Sequence, residues 1–139
     1  AENRKLLTYH DSWAYFAPIY GMTVIGAIQP SDFAEPSARD VADIITQIKA
    51  EKVPAVFGSE VFPSPILEQI AKESGAQYVA DLRDDDLPGA PGEAQHSYLG
   101  LMVNNMVVMA QALGGDPSLI ENFDTSNVPG ADGSVLQNQ

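Results

Sequence analysis

Residues 53–82 read VPAVFGSEVFPSPILEQIAKESGAQYVADL, and this stretch decides the fold. After Pro54, Ala55-Val56-Phe57 reads as a strand that leads into Gly58-Ser59-Glu60. Ser64-Pro65 then supplies an N-cap and a proline at the first helical position, for a helix through Leu67, Ile70 and Ala71 that Gly75 ends. Gln77 to Ala80 reads as the returning strand and delivers Asp81 to its carboxyl end. Strands joined through a helix run parallel, with a right-handed crossover.

The same alternation extends in both directions. Towards the amino end, Ser37 with Asp40 three residues on forms a capping box, and Val41, Ile44, Ile45 and Ile48 make one helical stripe. Before it, Met22 to Ile28 is a nearly continuous apolar run closed by Gln29-Pro30, as expected of a strand covered on both faces. Lys5 to Tyr9 reads as the first strand, running into His10. Asp11 or Ser12 then caps a helix with Trp13, Phe16, Ala17 and Tyr20 on one face. Pro18 removes a backbone donor from that helix, which is expected to be short or irregular before Gly21. Towards the carboxyl end, a polar loop from Asp84 to Gly92 precedes a helix starting near Gln95 or His96. Its expected stripe is Leu99, Met102, Val103, Met106, Ala110 and Leu113, ended by Gly114-Gly115.

Four β-α pairs predict an α/β fold, a four-stranded parallel sheet with helices on both faces, and such sheets bind ligands at the carboxyl ends of their strands. The expected organisation is an α/β lobe over 1–115 followed by an irregular acidic tail over 116–139. A length of 139 residues suits one domain. With 45% apolar and 19% charged residues, disordered and low-complexity classes are excluded for the body of the chain. A formal charge of −12 repels phosphate backbones, so nucleic acid is not an expected partner. Residues 84–139 hold eight acids and no Lys or Arg, which reads as a solvated surface ahead of a docking one. The absence of cysteine removes disulfides, thiolate metal sites and cysteine nucleophiles together, so any metal must bind through nitrogen and oxygen. Apolar runs such as Thr23 to Ile28 are far shorter than the roughly 20 residues a membrane helix needs. A first residue other than Met is expected of a mature or trimmed product.

His10 and Asp81 are expected at the ends of the first and fourth strands, on one rim. Imidazole and carboxylate are the donors that zinc and manganese take in a cysteine-free site. Taken singly, each has a plainer reading, His10 as a capping histidine and Asp81 as part of a solvated turn with Asp84, Asp85 and Asp86. Glu60 and Ser59 close the third strand on the same rim, and Glu60 is a candidate to orient the His10 ring. Gly58-Ser59-Glu60-Val61-Phe62 is not a nucleophile elbow, since Phe62 stands where the second glycine belongs. The adjacent residues of His10-Asp11-Ser12 cannot converge as a triad does. His96 reads as a capping or surface residue, and Met102, Met106 and Met109 as core filler. The rival reading is a small α/β enzyme with His10 as general base and Asp81 as its partner or as a magnesium ligand. A phosphoreceiver domain would want a lysine after the last strand, and no lysine follows Lys72.

Several segments together resemble the carboxyl-terminal lobe of the manganese- and zinc-binding solute-binding proteins of bacterial metal ABC transporters. They are TYHDSWAYF at 8–16 with Tyr20-Gly21, Glu35-Pro36-Ser37, Val56-Phe57-Gly58-Ser59-Glu60, Val79-Ala80-Asp81-Leu82, and HSYLGLM at 96–102. The resemblance runs from about Lys5 to Gly115. It implies one lobe of a two-lobed protein holding a zinc or manganese ion in the cleft between lobes. His10 and Asp81 match the positions at which this lobe gives the metal its ligands. The absent amino-terminal lobe would give two histidines. The resemblance further implies a membrane permease as partner, no catalytic step, a monomer, and a place outside the cytoplasm, periplasmic or lipid-anchored at the membrane's outer face. Two donors leave a cation mostly hydrated, so the chain alone is expected to bind metal weakly or not at all.

Overall fold

The computed structural model describes residues 3–29, 36–59 and 64–125. Four strands, β1 (Lys5–His10), β2 (Thr23–Gln29), β3 (Ala55–Ser59) and β4 (Gln77–Leu82), form one sheet in the order β2-β1-β3-β4. All pairings are parallel. Between and after them come α1 (Phe16–Ile19), α2 (Ala38–Glu51), α3 (Pro65–Ser74), α4 (Tyr98–Ala112) and α5 (Ser118–Glu121). The expected four-stranded parallel sheet with helices on both faces is therefore the fold.

Alternating side chains divide the interior into two cores. Leu7 and Val56 face α2 and α3, where they meet Ile45, Ile48, Leu67 and Ile70. Leu6, Ala55 and Phe57 face the other way and pack with Trp13, Ala17, Met109 and Leu113. β3, central and buried along its whole length, carries side chains into both. Local chemistry fixes the helix ends on the first side. Asp40 N–H donates to Ser37 Oγ while Ser37 N–H donates to the Asp40 carboxylate, and Ser64 Oγ accepts from Leu67 N–H. Gly75, at φ 81°, turns the chain out of α3 in the left-handed region that favours glycine.

The last helix differs from expectation. α4 starts at Tyr98, capped by Ser97 Oγ accepting from Gly100 N–H, and its buried residues are Gly100, Leu101, Asn105 and Met109. Of the expected stripe only Leu113, just past the helix, is buried; Leu99, Met102, Val103, Met106 and Ala110 are half-buried. The helix is apolar around most of its circumference, so hydrophobic period carries no phase. Asn105, outside the expected stripe, is 1% exposed, and its amide grips the backbone of Arg83 from both sides. Arg83 N–H donates to Asn105 Oδ1 at 2.9 Å, and Asn105 Nδ2 donates to Arg83 O at 2.6 Å. Gly100 is required at the start of α4, since a Cβ there would collide with the Gln95 carbonyl. Within the segment 116–139, residues 116–125 are described and hold the single turn α5.

Candidate metal centre

Parallel strands bring their carboxyl ends to one edge, and that edge carries His10, Ser59 and Asp81. Thr8 pairs with Phe57 and Phe57 with Val79, which puts His10 level with Ser59. Ser59 pairs in turn with Leu82. β3 lies between β1 and β4, so His10 and Asp81 stand two strand spacings apart, roughly 9–10 Å between backbones.

The register contains a bulge that no sequence pattern displays. Phe57 pairs with Val79 and Ser59 with Leu82, so β4 carries one more residue than β3 over the same interval. The extra residue lets both Val79 and Leu82 enter the core shared with α4, while Asp81 is left exposed at the rim. Bulges commonly re-aim a side chain at the edge of a sheet. His10 is half-buried, its ring edge-on to Tyr9 with centroids 4.7 Å apart, and Thr8 Oγ1 donates to the His10 carbonyl at 2.8 Å. Ser59 is buried at 4% exposure. Glu60 lies outside the described residues. Among those described, no three His, Asp or Glu side chains converge in a way that would hold a metal ion.

Sequence reading missed Asp84 and misassigned Ser12. α1 is a single turn whose N-cap position is Tyr15, without a side-chain cap, so Ser12 does not cap it. Instead Ser12 Oγ donates to Asp84 Oδ2 at 2.6 Å, tying the loop after β1 to the loop after β4. His10 and Asp84 line one small cavity of about 10 Å³ together with Trp13 and Ser59. The pairing joins residues 72 positions apart, so no local spacing announces it. His96, by contrast, stays on the loop before α4, with Nδ1 3.2 Å from Gly89 O.

Beside the rim the surface is apolar. A groove of about 400 Å³ between α1 and α4 is lined by Tyr15, Phe16, Ile19, Tyr98 and Met102 and reaches Ser12 and Asp84 at the rim. Tyr15, Ile19 and Tyr98 are 89%, 76% and 70% exposed. Large apolar side chains therefore stand in solvent beside the rim.

Residues 1–112 match the family described as zinc-uptake complex component A, periplasmic. The chain belongs to this family. It is 30% identical over 118 residues to the zinc-binding protein TroA of Treponema pallidum, 28% over 114 residues to the iron-binding protein YfeA of Yersinia pestis, and 26% over 116 residues to the manganese-binding lipoprotein MntA of Bacillus subtilis. These alignments cover 81%, 82% and 81% of this chain but only 38%, 36% and 38% of the relatives. The solved structure of TroA superposes with a TM-score of 0.68 at 28% identity, over 79% of this chain and 41% of that one. The chain thus spans about two-fifths of the length of these relatives. The family is one of solute-binding proteins for metal uptake, and it lends the enzyme alternative no support. No helix among the described residues is long and apolar enough to cross a membrane.

Proposed function

We propose that this chain is the carboxyl-terminal lobe of an extracytoplasmic solute-binding protein that captures zinc or manganese for an ABC permease, with His10 and Asp81 as its share of the ligands. The observation that carries the reading is that His10 and Asp81 stand on the same carboxyl rim of a sheet belonging to a metal-uptake family. The exposed aromatic groove supports it, because it is continuous with that rim: a second lobe seated there would cover the apolar surface and close over the metal in one movement. Two histidines from that lobe would complete a four-coordinate nitrogen and oxygen site. Histidine with carboxylate favours zinc over manganese. Ser59 and Glu60 remain candidates to support the imidazole. The bound protein works as a monomer, periplasmic or lipid-anchored, and needs no catalytic step.

The test is calorimetry on the full two-lobed protein. His10→Ala and Asp81→Ala should each weaken zinc binding, since each removes one donor to the metal. Unchanged zinc affinity in both variants would remove the assignment.

A further inference from the structure

Asp84 has a task that the two-ligand reading leaves unexplained. Its Oδ2 accepts from Ser12 Oγ, and its Oδ1 is buried with no hydrogen-bond partner. Leaving a buried carboxylate oxygen unpaired is costly, and such a group in a native fold has a reason to be there. Its surroundings are held from several directions. The grip of Asn105 on the Arg83 backbone fixes the preceding residue, and the Ser12 hydroxyl prevents the carboxylate from turning outward. The cavity that Asp84 lines also holds His10, Thr8 and Ser59, and its volume of about 10 Å³ is near the minimum for one water molecule.

Metal-bound histidines generally give their second ring N–H to a carboxylate, which fixes the tautomer and raises the basicity of the nitrogen facing the metal. We propose that Asp84 is the positioning residue for His10: Oδ1 accepts the ring N–H that faces away from the cation, directly or through the single water the cavity admits. Asp84 thereby keeps the other ring nitrogen bare for the metal. This rests on the metal-capture reading for its purpose, but the proposed contact does not require metal and is testable without it. Asp84 is then no ligand, and Ser12 acts one step further out by orienting the carboxylate.

The experiment uses the 139-residue chain labelled with 15N at histidine, in the wild type and in Asp84→Asn and Ser12→Ala, with His96→Gln to separate the two histidines. At a pH where His10 is neutral, the wild-type ring should populate one tautomer strongly. Asp84→Asn preserves the size of the side chain and an acceptor for Ser12, yet should shift the His10 nitrogens towards a tautomer mixture and weaken binding of zinc ion about 10- to 100-fold. Ser12→Ala should shift both in the same direction by less. If Asp84→Asn leaves the His10 nitrogen spectrum of the metal-free chain unchanged, the proposal is wrong, whether or not zinc binds. If the tautomer shifts in Asp84→Asn but zinc never perturbs wild-type His10, the positioning contact stands and the metal reading falls. A zinc-induced shift of the Asp84 carboxylate carbon as large as that of Asp81 would make Asp84 a ligand and overturn the positioning role.

Discussion

Against the α2–α3 face of the sheet, Ile48, Leu67 and Ile70 are no more than 1% exposed and both helices begin with side-chain caps. Against the opposite face, α1 is one uncapped turn, α4 is apolar nearly all round, and Tyr15, Ile19 and Tyr98 project into solvent. The first face is closed against water; the second leaves large apolar side chains open to it. The rim with His10 and Asp84 adjoins the second, so the exposed aromatic groove and the residues proposed to serve the metal lie side by side.

The contrast is broken most easily by mutation. Leu67→Ala, on the closed face, should cost about 2–5 kcal/mol in denaturant unfolding, because a fully buried side chain leaves a cavity. Tyr15→Ser, on the open face, should move stability by no more than about 0.5 kcal/mol in this chain. A comparable loss from both would mean that the aromatic face is already packed in the isolated lobe. Asn105→Ala should be the most damaging polar substitution on α4, at about 1–3 kcal/mol, since it strands the Arg83 N–H and C=O. It should also loosen the rim loop, readable as faster amide exchange at Arg83 and Asp84. Slow exchange there after the substitution would show that the loop is held by other means.

A smaller effect separates the capped helix from the rim by pH. The Asp40 carboxyl is held below its ordinary value, first by the Ser37 side-chain hydrogen bond and then by the Ser37 backbone N–H. A carboxylate with a depressed folded value stabilises the fold above its unfolded pKa, and that contribution disappears as pH falls through the folded value. Acid titration of α2 helicity should therefore show a loss below the ordinary carboxylate range that Ser37→Ala diminishes. An identical acid profile in that variant would remove the capping box as the cause.

What the sequence displays and what it hides follow the same division. Ser37 with Asp40, Ser64-Pro65 and Gly75 were legible because each acts on backbone within four residues of itself. The burial of Asn105 was not legible, since its partner is 22 residues away and its helix offers apolar residues in every direction. The bulge ahead of Leu82 is a property of the pairing between β3 and β4, and the amino acids on either strand do not announce it. His10 and Asp81 were readable as strand-end residues, whereas Asp84 looked like one of three solvated aspartates until Ser12 was seen to hold it. Long-range polar contacts, rather than hydrophobic period, make up the hidden part of the candidate site.

The central claim is that this rim is half of a metal site. Zinc titration of the 139-residue chain beside the full two-lobed protein, read by calorimetry and by the His10 ring nitrogens, tests it most directly. The account predicts that zinc perturbs His10 in both, with an affinity in the isolated chain weaker by orders of magnitude because water must replace the ligands of the other lobe. Tight, stoichiometric, His10-dependent binding by the isolated chain would contradict it and would mean that this lobe holds a complete site of its own.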